Sequence, residues 1–424
     1  MRILLIGAGA REHALTRALA ADPATSELFV APGNPGTATL ATNLPVQAED
    51  PDDVARLAVS TEADLVVIGP EAPLVAGVAD AVRAAGIPVF GPSGAAARLE
   101  GSKAYAKEIM AAAGVPTAMA RVCTTSAQVV DAIDAFGAPH VVKDDGLAAG
   151  KGVVVTSEPA VALAHAEACL SRTDRPGAIV MEEFLDGPEI SLFCLSDGRT
   201  VVPLVPAQDF KRLGDGDAGP NTGGMGAYSP LPWAPADLAE QVVEHVAQPT
   251  VDELARRGTP FVGLLYCGLA MTSRGMRVIE FNARFGDPET QVVLARLETP
   301  LAAVLHATAT GNLDQMPALR WSEEAAVTVV LACPGYPAGP QLGTVISGIA
   351  QAEQVPGVHV LHAGTATNDD GDLVSAGGRV LSVVGTGADL PQARERAYHA
   401  MTHLDLEGCQ FRTDIAAADR LPVA

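Results

Sequence analysis

The segment Arg277-Val278-Ile279-Glu280-Phe281-Asn282-Ala283-Arg284 carries the densest chemistry in the chain. Side chains alternate along a strand, so Glu280 and Asn282 share one face while Ile279 and Phe281 share the other. Two adjacent oxygen ligands suit Mg²⁺, which takes one or two protein groups and completes its shell with phosphates and water. The strand expected alongside, Leu264–Ala270, offers no acid. The protein shell is therefore sparse, as for a metal that arrives with a nucleotide. Arg284 can clamp a carboxylate or phosphate through two hydrogen bonds. The plain alternative is a half-exposed strand running into a turn.

The segment Lys143-Asp144-Asp145-Gly146-Leu147-Ala148-Ala149-Gly150-Lys151-Gly152 is similar to a phosphate loop but lacks the Walker pattern. Three residues separate Gly146 from Gly150, and Gly152 stands where a Walker loop has Ser or Thr. Its flanks, Val141–Lys143 and Val153–Val155, predict a strand–loop–strand hairpin. Such a hairpin can fold over a triphosphate, with Lys143 and Lys151 neutralising charge and backbone N–H groups holding oxygens. The alternative is a flexible surface hairpin. The chain has only five lysines (103, 107, 143, 151 and 211) against 23 arginines, so a retained lysine marks a place where a compact ammonium is wanted.

Three further segments stand out. Gln208-Asp209-Phe210-Lys211-Arg212 leads into a long glycine-rich loop ending at Pro220–Pro230. This is too long for an idle connection: Lys211 and the backbone could hold an anion and Asp209 an amine, against a disordered linker as the alternative. Met181-Glu182-Glu183-Phe184-Leu185 reads by itself as a strand end with solvated acids. Gly7-Ala8-Gly9-Ala10-Arg11-Glu12-His13 opens a helix after a strand, which suits a phosphate at the helix N-terminus, helped by Arg11. Glu12 occupies the sixth position of the dinucleotide fingerprint and no ribose-binding acid ends the second strand, so a nicotinamide or flavin dinucleotide is not expected.

These residues need a frame. Residues 1–92 alternate strands (Arg2–Ile6, Glu27–Ala31, Asp64–Ile68, Ile87–Phe90) with helices (Glu12–Ala21, Asp52–Ser60, Pro73–Ala85), which predicts a parallel sheet with ligands beyond its carboxyl ends. Residues 93–116 read as helical, residues 117–186 as a small α/β segment, residues 187–322 as longer strands and helices, and the rest as a strand-rich tail closed by a helix. At 424 residues the chain suits several domains. Its net charge of −22 argues against nucleic acid or an anionic membrane as partner. The six cysteines form no C-x-x-C pair and read as reduced thiols of a cytoplasmic protein. Apolar stretches are too short to span a membrane, and the N-terminus reads as a strand rather than a signal peptide.

Taken together the segments resemble the ATP-grasp ligases, and closely the glycinamide ribonucleotide synthetase family of purine biosynthesis. The carriers are Gly7–His13, Ala31–Asn34, Gly69–Leu74, Glu100–Lys103, Asp145–Gly152, Glu182–Gly187, Gln208–Arg212, Gly219–Pro230, Glu280–Thr290, His362–Thr365 and Gly377–Val380. Asp144, where a small residue is expected, and Phe210, where other members carry a different ring, depart from the pattern.

The resemblance implies an α/β fold of four parts: an N-terminal parallel α/β domain (1–102), an ATP-grasp region (103–322) with a small mobile lid (about 117–186) on a central body, and a strand-rich C-terminal domain (323–424). It implies ATP between lid and body, with Lys103, Lys143 and the lid glycines Gly146, Gly150 and Gly152 on phosphates. Glu182, Phe184 and Leu185 would lie near adenine, Glu189 near ribose, and Glu280 and Asn282 on Mg²⁺ or Mn²⁺. Arg284, Asp209 and Lys151 form the implied catalytic set, with Arg284 and Asp209 near glycine. Gly9, Arg11, Glu71, Lys211, Gly223, Gly224 and Met225 are the implied substrate contacts. The implied reaction joins glycine to 5-phosphoribosylamine through glycyl phosphate, in a monomer. Other readings are a different ATP-grasp carboxylate–amine ligase or carboxylase, a nicotinamide-dependent oxidoreductase, and a nucleotide sensor without catalysis.

Overall fold

The computed structural model describes residues 1–147, 152–172, 177–418 and 421–422. The first ninety residues place β1 (Arg2–Gly7), β2 (Glu27–Pro32), β3 (Thr42–Asn43), β4 (Leu65–Ile68) and β5 (Val89–Phe90) in one parallel sheet, ordered β3-β2-β1-β4-β5. Ile3, Leu4, Leu5 and Ile6 are all fully buried, as expected for a strand covered on both faces. The strand order switches direction between β1 and β4, so their carboxyl ends, Gly7–Arg11 and Gly69–Glu71, frame a crevice. The single helix expected over Pro73–Ala85 is two, Glu71–Val75 and Val78–Ala84. Gly77 separates them at φ +87°, a conformation that glycine adopts without strain.

The helix Gly94–Gly101 ends where Ser102 caps the next, Lys103–Ala113, by accepting the Tyr105 N–H. Then β6 (Ala120–Cys123), β7 (His140–Asp144), β8 (Val153–Thr156) and β9 (Ile179–Glu182) form an antiparallel sheet ordered β6-β9-β7-β8. With the helices Ser126–Phe136 and Pro159–Leu170 it encloses a small core of its own, including Val129, Ile133, Val142, Ala162 and Met181. The predicted hairpin is present, with Lys143 paired to Val153.

The central region holds β10 (Glu189–Asp197), β11 (Val201–Pro203), β12 (Gln208–Asp209), β13 (Arg212–Gly214), β14 (Ala218–Asn221), β15 (Gly226–Ser229), β16 (Val262–Thr272) and β17 (Gly275–Asn282). Its sheet, ordered β11-β10-β16-β17, is antiparallel. The glycine-rich loop is built rather than idle: β13 and β14 pair with each other, while β12 and β15 enter a sheet with the tail. That tail contributes β18 (Ala325–Ala332), β19 (Val358–His362), β20 (Thr365–Thr367), β21 (Leu373–Ser375) and β22 (Arg379–Gly387), and the shared sheet runs β12-β15-β18-β22-β19. The segment bearing Asp209 and Lys211 is thereby anchored from both sides. Among the described residues no helix is long and apolar enough to cross a membrane.

Candidate active site

The metal-ligand pair sits at the end of β17. Asn282 lies opposite Tyr266 and Glu280 opposite Gly268 on β16. The register slips between Gly268 and Leu269, which leaves Ile279 as an extra, bulged residue. Its carbonyl accepts the Lys143 ammonium at 3.0 Å. Beyond the bulge the strand alternates normally, so Glu280 and Asn282 share a face. Gly268 leaves room there, since a Cβ would stand 3.4 Å from Glu280 Cγ. Burial pushes the Glu280 carboxyl up, but Lys211, Lys143, Lys103 and Arg284 outweigh it and hold the group below its ordinary value. Neither the Glu280 carboxylate nor the Asn282 amide makes a side-chain hydrogen bond among the described residues. An ionised, unengaged carboxylate beside an amide oxygen, ringed by four cations, fits a divalent ion carrying a polyphosphate.

The lysines converge on this point. Lys103 donates to the Gly146 carbonyl at 3.0 Å, while Ser102 and the Ala104 N–H hold Asp145 at 3.0 and 3.1 Å, so the base of the hairpin loop is docked on the start of the helix. Gly152, at the other end of the loop, closes it by accepting the Asp144 N–H at 2.8 Å. Gly150 and Lys151 lie outside the described residues. Glu182 corrects the expectation of a solvated acid. It is 3% exposed and meets Lys107 at 3.2 Å and Lys143 at 3.0 Å. Glu183 pairs with Arg274 at 2.9 Å. Phe184, next to Leu185 in the chain, is 45% exposed, a large apolar face open to solvent. Asp144, the departure in this loop, is buried and faces Arg172 at 3.4 Å.

Arg284 reaches two acids of the N-terminal region, Glu71 at 3.1 Å and Glu100 at 3.1 Å. Lys211 is ion-paired with Glu189. Burial lowers the Lys211 ammonium, but Glu189 and Asp209 together drive it well above its ordinary value. Asp209 moves the other way. Burial pushes it to about 7, Lys211 opposes, and Glu289 and Glu189 add to the rise. This end of the site therefore carries more carboxylate than its cations satisfy, which favours an incoming ammonium.

Some expected contacts are repositioned. Met225 is fully buried. Gly223 and Gly224 lie against the C-terminal domain: the Gly223 N–H donates to the Tyr336 hydroxyl at 3.0 Å, and Arg379 donates to the Gly223 carbonyl at 2.7 Å. Phe210, the other departure, packs on Tyr228 and under the Arg412 guanidinium, away from the site. At the first helix the expected phosphate site is closed. Glu12 accepts the Gly9 N–H at 2.7 Å and pairs with Arg11 at 2.5 Å, and Arg11 also donates to the Phe285 carbonyl. A phosphate at Gly9 would have to displace the buried Glu12 carboxylate. Arg11 and Arg379 instead flank Asp287 and depress its carboxyl against the effect of burial. All three regions of the chain meet at that turn.

The chain matches the family models for the N domain of phosphoribosylglycinamide synthetase over residues 1–100, its ATP-grasp (A) domain over 101–290 and its C domain over 326–418. The phosphoribosylamine–glycine ligase of Streptomyces coelicolor is 65% identical over 419 residues, covering 98% of this chain and 99% of that one. The chain belongs to the phosphoribosylglycinamide synthetase family. The crystal structure of the phosphoribosylamine–glycine ligase of Thermotoga maritima, at 33% identity, superposes with a TM-score of 0.84 over 98% of this chain and all of that one. The biotin carboxylase domain of the Hydrogenobacter thermophilus 2-oxoglutarate carboxylase, at 16% identity and TM-score 0.72 over 97% and 91%, shares the fold alone. The α/β ATP-grasp architecture expected from the sequence is therefore that of the synthetase family.

Several residues of this synthetase site escaped the sequence. Glu100 was part of a recognised segment but had no role. It shares Arg284 with Glu71, and it fixes the start of the Arg284 turn by accepting the Ala283 N–H at 2.7 Å. Glu289 is buried with one oxygen held by Ser191 at 2.9 Å and Tyr266 at 2.8 Å. Lys107 had a signal that went unused: it is one of five lysines and lies one helical turn after Lys103.

Proposed function

We infer that the protein joins glycine to 5-phosphoribosylamine at the expense of ATP, giving glycinamide ribonucleotide, ADP and phosphate in purine biosynthesis. The observation that carries this reading is the ring of Lys103, Lys143, Lys211 and Arg284 around the unengaged Glu280–Asn282 pair, in a chain of this family. A carboxylate does not acylate an amine in water, because it has no leaving group. A glycine carboxylate oxygen attacks the γ-phosphorus of ATP, ADP leaves, and glycyl phosphate forms. The amine of phosphoribosylamine then attacks the glycyl carbonyl carbon, phosphate departs, and the amine loses a proton.

Phosphoryl transfer of this kind needs alignment and charge neutralisation more than a side-chain nucleophile. Lys103 and Lys143 would hold the phosphates with the backbone of the Gly146–Gly152 loop. Glu182, Phe184 and Leu185 would line adenine, and Glu189 ribose. Mg²⁺ or Mn²⁺ would be held by Glu280 and Asn282 and would neutralise charge on the transferred group. Arg284 would orient the glycine carboxylate, and Asp209 its ammonium. The acyl phosphate hydrolyses readily, so residues 117–186 are assigned as a lid that excludes water, with Lys151 on its loop. The amine substrate would approach from the crevice at Glu71, where residues 1–102, 103–322 and 323–424 form the proposed domains. Glycine, the sugar phosphate and ATP are the proposed partners of a cytoplasmic monomer. The test is glycine-dependent ADP release in the presence of phosphoribosylamine generated in place.

A further inference from the structure

The two connections between the lid and the body run side by side, and one lysine from the body joins them. Lys107 projects from the helix Lys103–Ala113 and is nearly buried. Its ammonium has three donor positions and three partners: Thr117 Oγ1 at 2.9 Å, the Ala118 carbonyl at 3.1 Å, and Glu182 Oε1 at 3.2 Å. Thr117 and Ala118 belong to the segment entering the lid, just before β6. Glu182 is the last residue of β9, at the strand leaving it. The linkers also hold each other, through the Glu183 N–H to the Met119 carbonyl and the Met119 N–H to the Glu183 carboxylate, both at 3.0 Å. Thr117 fastens the pair to β17 by donating to the Val278 carbonyl at 2.6 Å.

Glu182 connects this hinge to the phosphate site. Its second oxygen lies 3.0 Å from Lys143, whose ammonium also donates to Ile279 beside Glu280. The carboxylate is thus divided between a lysine at the hinge and a lysine at the phosphates.

We propose that Lys107 is a positioning residue for ATP binding: it clips both lid linkers to the body and, by holding one oxygen of Glu182, fixes the carboxylate that aims Lys143. This deepens the ATP-ligase reading and rests on it. Without Lys107, Glu182 turns wholly to Lys143 and cancels charge needed at the phosphates, and the linkers lose their common anchor. The groups facing the ammonium are Glu182, Glu183 and Lys143. Burial lowers it to about 8, with Lys143 adding to the fall and Glu182 and Glu183 opposing. Among the described residues Lys107 meets Thr117, Ala118 and Glu182, whereas Lys103 meets Gly146 of the phosphate loop, which separates their roles.

The test is calorimetric binding of a non-hydrolysable ATP analogue with Mg²⁺ to the full chain, which needs no turnover. Lys107→Met is expected to weaken binding about tenfold, with the glycine KM within about twofold of wild type. Lys107→Gln, which keeps hydrogen-bonding capacity but not charge, is expected to fall on the same side and stands in if the Met variant does not fold. Combining Lys107→Met with Glu182→Gln is expected to cost less than the two single changes together, because both act through one carboxylate. Unchanged analogue affinity in both Lys107 variants, or equal losses for ATP and glycine, overturns the proposal. Wild-type chain that binds the analogue but releases no glycine-dependent ADP removes the ligase reading and leaves the role of Lys107 standing.

Discussion

Arg284 Nε lies 3.1 Å from a Glu71 carboxylate oxygen, 213 positions earlier in the chain. The guanidinium that would orient glycine is thus held by the domain that would bring the second substrate. Glu100 shares it at 3.1 Å, and Glu100 and Glu71 lead the groups that raise the Arg284 pKa against burial. An arginine with acids on two sides is fixed in direction before any carboxylate arrives, which lowers the ordering cost of binding.

Arg284→Lys tests that arrangement. Lysine keeps the charge but cannot engage two acids and a substrate carboxylate in one plane. We expect kcat/KM for glycine to fall about 100-fold, near 2.7 kcal/mol, with ATP affinity little changed. Steady-state kinetics in each substrate separates the two. Equal loss for ATP and glycine would place Arg284 on the phosphates instead.

Glu280→Gln is nearly isosteric but removes the charge that four cations keep ionised. Turnover at ordinary Mg²⁺ is expected to drop at least about 100-fold, with partial recovery as Mg²⁺ is raised. Wild-type activity at ordinary Mg²⁺ contradicts the ligand role.

Much of this site was legible from local pattern. The Glu280–Asn282 spacing and the hairpin between Lys143 and Val153 each depend on residues a few positions apart. What escaped depends on packing between distant segments. Glu182 reads as a solvated strand end, yet Lys107 and Lys143 from two other elements bury it. Gly9 reads as a phosphate cradle, yet Glu12 folds back to fill it. Phe210 reads only as a departure from the family pattern, yet Arg412, some two hundred residues on, covers it. The helix over Pro73–Ala85 has continuous apolar spacing, and only the left-handed backbone at Gly77 divides it.

The pH dependence of glycine use follows from Asp209. Its carboxyl is raised to about 7, so it is protonated below that pH and cannot oppose an ammonium. With ATP and phosphoribosylamine saturating, kcat/KM for glycine is expected to rise about tenfold per unit toward pH 7 and then level. In Asp209→Asn that limb disappears and the remaining activity is low at every pH. A profile in the variant that keeps the wild-type limb assigns it to another group.

Acid stability follows from three histidines at the contact of the N- and C-terminal regions. His13 Nδ1 accepts the His362 N–H at 2.8 Å. Burial lowers His13 and His359 to about 3 and His362 to about 4. The folded pKa lies below the unfolded value near 6.5, so only the unfolded chain takes up these protons as pH falls from 6.5 toward 4. Stability is full above 6.5 and falls below it, by on the order of 1 kcal/mol per pH unit for each group. Denaturant unfolding between pH 7.5 and 5 is expected to show this loss, and His13→Gln to reduce its slope. A stability flat to pH 5 contradicts it.

The central claim is the reaction itself. ADP release is to be followed with ATP, Mg²⁺ and phosphoribosylamine generated in place, with and without glycine. The account predicts release only when all are present, with one ADP per glycinamide ribonucleotide formed. ATP turnover indifferent to both glycine and phosphoribosylamine, or none at all in a chain that binds ATP, contradicts it.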